Sequence, residues 1–176
     1  MNTVTYIEDS VLFGTHVLPA TNSRLQFAVA ARHRDNSEAE NVLWEARAED
    51  PTCLPVYFAL YKFYANSKKL DRAERAARLA LAESARQAGV PADWEKLSRK
   101  PRLYDLYGSE AGLFYLFSLK ALAFIKLRRD HLYEVGAILH HLSRLDPEDR
   151  CGGSVVRGLA EAVGVDIAES GSHEPG

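Results

Sequence analysis

The spacing of apolar residues is the feature that most constrains the fold of this chain. Apolar residues recur three and four positions apart through most of its 176 residues, a spacing that places them on one face of an α-helix. Alternation typical of a β-strand occurs only at residues 3–7. The spacing therefore predicts an all-α protein. The predicted helices cover residues 23–33, 37–49, 54–65, 70–87, 109–129, 132–145 and 154–163.

Short polar breaks divide the first six of these helices into three pairs. The breaks at residues 34–36, 66–69 and 129–131 leave room only for an antiparallel return. The first and third pairs both end at an Asp-Pro step, at residues 50–51 and 146–147, where proline removes an amide donor and cannot continue the helix. The chain is therefore predicted to form consecutive helical hairpins.

Composition limits the partners that such a protein could have. With 47% hydrophobic residues the chain can build one continuous core. Its 22 basic and 24 acidic residues nearly cancel, which argues against a nucleic-acid partner. The apolar run at residues 111–127 contains Ser118, Lys120 and Lys126 and is shorter than the ~20 residues of a membrane span. Residues 1–9 lack the features of a secretory signal, so we expect a cytoplasmic protein that does not enter a membrane.

The hairpins resemble the units of the tetratricopeptide-repeat (TPR) family, in which small residues lie where two helices cross and each unit of about 34 residues ends near a proline. The matching residues are Ala39, Leu43, Ala46 and Pro51, then Ala59, Ala73, Ala76, Ala77 and Ala80, then Ala123, Leu139, Leu142 and Pro147. The resemblance implies TPR-like stacked antiparallel hairpins. The expected organisation is an N-terminal extension at residues 1–21, a helical domain at 22–163 and a disordered tail at 164–176.

Two elements of this array have predicted packing roles. The helix at 109–129 is apolar nearly all round, so it should form the core, with Phe117 and Phe124 buried. The last helix should cap the array by turning Val155, Val156, Leu159 and Val163 toward it. The four residues and the core phenylalanines are thus expected to be inside the protein.

An aromatic stripe gives a first candidate binding site. Tyr57, Tyr61 and Tyr64 follow one another at helical spacing, beside a second apolar face on the same helix. Tyrosine suits a protein-binding groove because it is rigid and amphipathic. The alternative interpretation is that the three rings fill the joint between repeats.

An irregular segment gives a second candidate. The distance between the two Asp-Pro steps exceeds two repeats by roughly 28 residues, and the excess lies at about residues 82–109. This insertion combines aromatic side chains with positive charge, a combination common at binding hot spots: Trp94, Tyr104 and Tyr107 with Arg99, Lys100 and Arg102. An acidic protein surface would fit it. The alternative is a solvated loop with an aromatic ring packed on the array.

No motif in the sequence indicates catalysis or a metal. His140 and His141 are adjacent, so on a helix they point about 100° apart and cannot readily bind one ion. Cys53 and Cys151 are too few for a cluster or a disulfide framework. We therefore predict a protein without cofactor, metal or enzymatic activity. An all-helical enzyme using His131, His140 or Glu134 as acid or base is the less favoured alternative.

A narrower resemblance concerns residues 91–94, 104–129 and 145–150. These stretches are similar to small helical-repeat proteins that are encoded with nitrogen-fixation genes. That resemblance implies an accessory protein that binds the nitrogenase molybdenum–iron protein while its cofactor is incomplete or disturbed, and that holds no cluster itself. The alternative among binding proteins is a general TPR adaptor or chaperone that holds a client peptide in its groove.

Overall fold

Residues 17–167, the part of the chain that the computed structural model describes, form helices joined by short turns, without a β-strand. The prediction of an all-α fold is confirmed for this part, whereas the strand-like run at 3–7 lies outside it. The α-helices are α1 (Pro19–Ala31), α2 (Asn36–Glu49), α3 (Leu54–Asn66), α4 (Leu70–Ala88), α5 (Trp94–Arg99), α6 (Glu110–Arg128), α7 (Leu132–Leu145) and α8 (Gly153–Ala162). Two 3-10 turns, Pro101–Leu103 and Leu106–Gly108, lie between α5 and α6.

Capping residues set where several helices begin and end. The side chains of Asp35 and Asp93 each accept hydrogen bonds from two backbone amides, at the starts of α2 and α5. These bonds satisfy N–H donors that have no partner within the helix. Gly89 ends α4 in the left-handed conformation, with φ +67°. α1 begins within the predicted N-terminal extension because Pro19 is tolerated in a first helical turn.

Consecutive helices pack on each other along the chain. α1 contacts α2, α3 contacts α4, and α6 contacts α7. These pairs are joined through α2 with α3 and through α4 with α6, and α8 lies against both α6 and α7. The resulting order of contacts makes α6 a central element, since it touches α3, α4, α7 and α8.

A seam of alanines lets α4 lie close to α6. Ala73, Ala76, Ala77 and Ala80 are at most 3% exposed, and Ala77 and Ala80 line one narrow crevice with Phe114 of α6. Small side chains on one helix leave room for large ones on the other. The alanine positions that resemble the TPR pattern therefore serve helix contact.

Buried charges join the ends of the same helices. The ammonium of Lys126 on α6 lies 2.9 Å from a carboxylate oxygen of Glu74 on α4 and 2.7 Å from one of Glu134 on α7. Glu74 also pairs with Arg78 and Arg129. Burial raises the pKa of Glu74, but hydrogen bonds from Lys126 and Arg78 lower it more, so its pKa is below the ordinary value. Three helices are thereby tied together by one charged cluster.

The core of α6 differs from the prediction. Phe117 and Phe124 are only half-buried, whereas other side chains of α6 are at most 1% exposed: Phe114, Tyr115, Leu116, Leu119, Leu122 and Ile125. The expectation that Phe117 and Phe124 lie in the interior is wrong because α4 and α7 pack on other sides of the helix.

The rotation of α8 also differs from the prediction. Val156 and Ala160 are buried, but Val155, Leu159 and Val163 are 68%, 46% and 59% exposed. Close packing on α7 sets this rotation. A Cβ atom at Gly153 would lie 2.9 Å from a methyl of Leu142, and Arg157 donates to the Leu139 carbonyl at 3.4 Å.

The start of the predicted disordered tail is also packed. Val165 is 7% exposed, and Ile167 packs against the core. These apolar contacts hold residues 164–167 against the helical domain. The rest of the predicted tail, from residue 168, lies outside the described part.

Replacing Phe114 by alanine should destabilise the protein by about 3–5 kcal/mol, because it removes a buried ring and leaves a cavity. Phe124→Ala on the same helix is the matched control and should cost about half as much, since that ring is already partly in water. Urea denaturation measures both. Equal losses would contradict the burial pattern of α6.

Candidate protein-binding surface

The tyrosine stripe on α3 lies inside the protein. Tyr57, Tyr61 and Tyr64 are 3%, 8% and 2% exposed. The hydroxyl of Tyr57 donates to the Pro51 carbonyl at 2.6 Å, and burial raises the pKa of Tyr61 to about 12. These positions agree with the alternative interpretation of rings that fill a joint, so the stripe is not part of the surface that we consider for partner binding.

Tyr64 shows what such a joint contains. Its hydroxyl accepts a hydrogen bond from Trp44 Nε1 at 2.7 Å and donates to Glu40 at 2.8 Å. Lys69 and Arg72 complete the contacts of that carboxylate. Burial raises the pKa of Glu40, but the hydrogen bonds from Tyr64 and Lys69 lower it further, to below its ordinary value. The cluster connects α2, α3 and α4.

The irregular segment is shorter than predicted and is docked on the array. α4 continues to Ala88, so the first residues of the predicted 82–109 insertion are helical, and the insertion itself occupies residues 89–109. α5 packs on α7, and the second 3-10 turn packs on α6. Leu97 and Leu106 are 0% and 3% exposed. Two apolar anchors therefore hold the insertion against the domain.

Polar contacts fix the insertion further. Ser98 Oγ and His141 Nδ1 are 2.6 Å apart, and Tyr115 donates to the Ala92 carbonyl at 3.1 Å. Gly112 lets the second 3-10 turn lie directly against α6, because a Cβ atom at this position would collide with the carbonyl oxygen of Leu106. The insertion is thus held at its beginning, middle and end.

Asp146 is the polar anchor for the end of the insertion. Its carboxylate accepts hydrogen bonds from Tyr107 at 2.5 Å and from the amides of Arg150 and Cys151, both at 2.9 Å. Burial raises the pKa of this carboxyl, but the hydrogen bonds from Cys151, Tyr107 and the amides hold its pKa below the ordinary 3.8. Burial and the bond to Asp146 raise the pKa of Tyr107 to about 12. The Asp-Pro step predicted as a helix stop therefore also fastens the insertion.

Four exposed residues form what we name the basic turn: Arg99, Lys100, Arg102 and Leu103. Leu103 is 66% exposed. Within residues 17–167 the side chains of the three cations form no hydrogen bond or ion pair. Of the other predicted insertion residues, Trp94, Tyr104 and Tyr107 are half-buried against the core. The structure thus keeps the predicted cations at the surface and uses the aromatic rings for attachment.

An open groove lies on the outer side of α7, and the sequence did not predict it. Its volume is about 460 Å³, and the residues that line it include Tyr133, Gly136, Ala137, His140 and Val165. Tyr133 is 91% exposed. The one local sign of this groove is the pair of small residues, Gly136 and Ala137, on the less buried face of α7. Residues 164–166, which follow α8, complete its lining.

The residues of the enzyme alternative are not assembled in one cavity. His131 and Glu134 belong to the charged cluster around Lys126, whereas His140 lines the groove on α7. Between residues 17 and 167 no group of three or more His, Cys, Asp or Glu side chains could hold a metal ion. In the same part of the chain no helix, α6 included, has the length and apolar character to cross a membrane.

Together these features define an all-α protein whose docked insertion presents a basic turn. No protein-family model, no curated protein and no solved structure matches the chain.

Tyr107→Phe should destabilise the protein by about 1–2 kcal/mol, because it leaves a buried acceptor on Asp146 without its hydroxyl donor. Tyr104→Phe removes a hydroxyl with no hydrogen bond in the described part and should be neutral within about 0.5 kcal/mol. Chemical denaturation measures both, and hydrogen exchange should become faster at residues 101–108 in the first variant alone. Equal behaviour of the two variants would contradict the anchoring role.

The carboxylate of Asp146 should also make stability depend on pH. Its pKa is lower in the folded protein than in the unfolded chain, where it is about 3.9. Its stabilisation is therefore complete above the unfolded pKa and is lost as the pH falls through the folded pKa. Free energies of unfolding from pH 6 down to acid should fall less steeply for Asp146→Asn than for the unchanged protein. The control is Asp71→Asn, which removes a carboxylate at an exposed position and should change the slope less than Asp146→Asn does.

Proposed function

We propose that this chain is a TPR-like accessory protein that binds another protein and does not catalyse a reaction. One observation carries the proposal: the basic turn holds an exposed leucine among three cations that form no ion pair within residues 17–167, on a segment that the domain anchors at several points. Cations and an apolar side chain held together suit an acidic protein surface with an apolar pocket.

The anchoring supports binding in a second way. A loop that is already ordered loses less conformational entropy when it meets its partner, so more of the contact energy appears as affinity. Leu97, Leu106 and the Tyr107–Asp146 hydrogen bond supply this order. Exposed cations also accelerate association with an acidic surface, and salt weakens this effect.

For the client we propose the nitrogenase molybdenum–iron protein, in a state whose cofactor is incomplete or disturbed. The support is the resemblance of residues 91–94, 104–129 and 145–150 to nitrogenase-associated factor T and similar helical proteins. The first of these stretches lies within the insertion, the second overlaps its end, and the third contains its anchor Asp146. The second candidate function is a general adaptor for a client peptide, favoured by the open groove on α7.

Charge reversal in the basic turn tests the proposal. The purified chain would be immobilised and titrated, without oxygen, with molybdenum–iron protein that either contains or lacks its cofactor. We expect binding that salt weakens and that is tighter for the cofactor-deficient form. The Arg99→Glu/Arg102→Glu variant should weaken it at least about 10-fold, since it reverses two interface charges.

The matched control is Arg34→Glu/Arg75→Glu, which reverses two exposed arginines on other parts of the fold. It should bind as the unchanged chain does. Absence of binding to either form of the molybdenum–iron protein would remove this client. Binding that both double variants retain in full would instead remove the basic turn as the contact site.

A further inference from the structure

The helix α3 is buried on every side, although only one other helix packs on it extensively. Eleven of its thirteen residues are buried. Within residues 17–167, α4 is its main neighbour, whereas α2 and α6 pack on it less. A helix in such a position usually keeps one side in water. The side of α3 that bears Phe58 therefore requires a further neighbour.

Phenylalanine rings form the floor of this side, where α3 meets α6. The ring centres of Phe58 and Phe117 lie 5.2 Å apart, with one edge toward the other face, and that of Phe114 lies 6.3 Å from Phe117. The crevice between the helices has a volume of only about 10 Å³. A side chain can therefore lie on these rings but not between them.

Two ammonium groups lie over the rings of this floor. Nζ of Lys62 is 5.2 Å from the ring centre of Phe58. Nζ of Lys120 is 4.3 Å from that of Phe117. Each lysine follows its phenylalanine by one turn of the same helix, and we name these four residues the phenylalanine–lysine face. An apolar floor beside two positive charges fits a segment that combines apolar and acidic side chains.

We propose that residues 8–13 of the same chain cover the phenylalanine–lysine face. This segment, Glu-Asp-Ser-Val-Leu-Phe, precedes the described part and joins two adjacent acidic residues, Glu8 and Asp9, to three large apolar ones. In this arrangement the two carboxylates meet the ammonium groups, and residues 11–13 lie on the rings. Removal of apolar side chains from water stabilises the contact, and the opposite charges fix its register.

The position of α1 brings this segment to the correct end of α3. Thr21, in the first turn of α1, donates a hydrogen bond to Asp50 at 3.3 Å, shortly before α3 begins. Val17 packs against the core. Phe58 is about 6 Å along the axis from the start of α3, whereas the chain from Phe13 to Val17 can span up to about 13 Å. The segment therefore lies within reach of the face.

The other segment outside the described part fits this face less well. Residues 168–176 contain two glutamates but no large apolar side chain. The chain before them runs beside α7, where the carbonyl oxygen of Asp166 lies 3.1 Å from the Cβ position of Gly136. Residues 8–13 are tethered to α1, so they compete with a separate acidic peptide at high effective concentration. Their docking closes the face to such peptides.

The phenylalanine–lysine face shares no residue with the basic turn. The proposed docking therefore does not depend on the proposed client, and either proposal can fail without the other.

Carbodiimide coupling of the unchanged chain tests the contact directly, because the reagent joins a carboxylate to an ammonium group that lies against it. Unlabelled and isotope-labelled chains would be mixed in equal amounts at low concentration, coupled, digested and analysed by mass spectrometry. We expect amide bonds from Glu8 or Asp9 to the two lysines of the face, within single chains. Coupling only to lysines elsewhere, such as Lys68, no coupling at all, or coupling between chains of different label would overturn the proposal.

Hydrogen exchange of the full chain tests whether the charges hold the segment. We expect the amides of residues 8–13 to be protected in the unchanged chain and to exchange at least about 10-fold faster in Lys62→Glu, which turns an attraction into a repulsion. Lys68→Glu, at an exposed position in the turn after α3, is the matched control and should leave the protection unchanged. Circular dichroism establishes that both variants are folded.

The same exchange measurement on Glu8→Lys/Asp9→Lys acts from the other side of the contact and leaves every residue of the helical array unchanged. It should accelerate exchange at residues 8–13 as Lys62→Glu does. The proposal is overturned if these amides are unprotected in the unchanged chain, if the two lysine variants behave alike, or if the reversal of both acidic residues has no effect.

Discussion

The contact between α4 and α6 is the constraint on which the rest of the structure depends. Alanines at four buried positions let α4 lie against the bulky side chains of α6, and the Lys126–Glu74 ion pair fixes the two helices at one end. A single larger side chain in the seam would separate them, because close-packed interiors accommodate added volume poorly. Since α6 also touches α3, α7 and α8, its position decides where those helices lie.

The insertion depends on this arrangement. α5 packs on α7 and the second 3-10 turn packs on α6, so the insertion has a floor only when these two helices are in place. Asp146, at the end of α7, then binds the hydroxyl of Tyr107. The basic turn is consequently a surface feature whose geometry comes from buried contacts elsewhere. An irregular segment is in this way held in one position on the helical array.

Much of the fold could be predicted from local signals. The predicted bounds of α7 agree with the structure, and most others differ by one or two residues, because polar breaks, Asp caps and the Asp-Pro steps act within a few residues. The candidate site was harder. The exposed cations Arg99, Lys100 and Arg102 followed from composition, but the roles of Trp94 and Tyr107 did not, since an aromatic ring in an insertion can point either into the domain or outward. Which occurs depends on residues far along the chain.

What the sequence determined by itself was the helical class, the joints and the residues able to cap or break a helix, because hydrogen bonds between near neighbours govern these features. Tertiary structure alone decided which face of each helix became internal. Tyr57, Tyr61 and Tyr64 became a joint, Phe117 stayed at the edge of the core, and Val155 with Leu159 remained in water. The physical reason is that a helix with two apolar sides has no local preference between them, so burial is settled by the helices that pack against it.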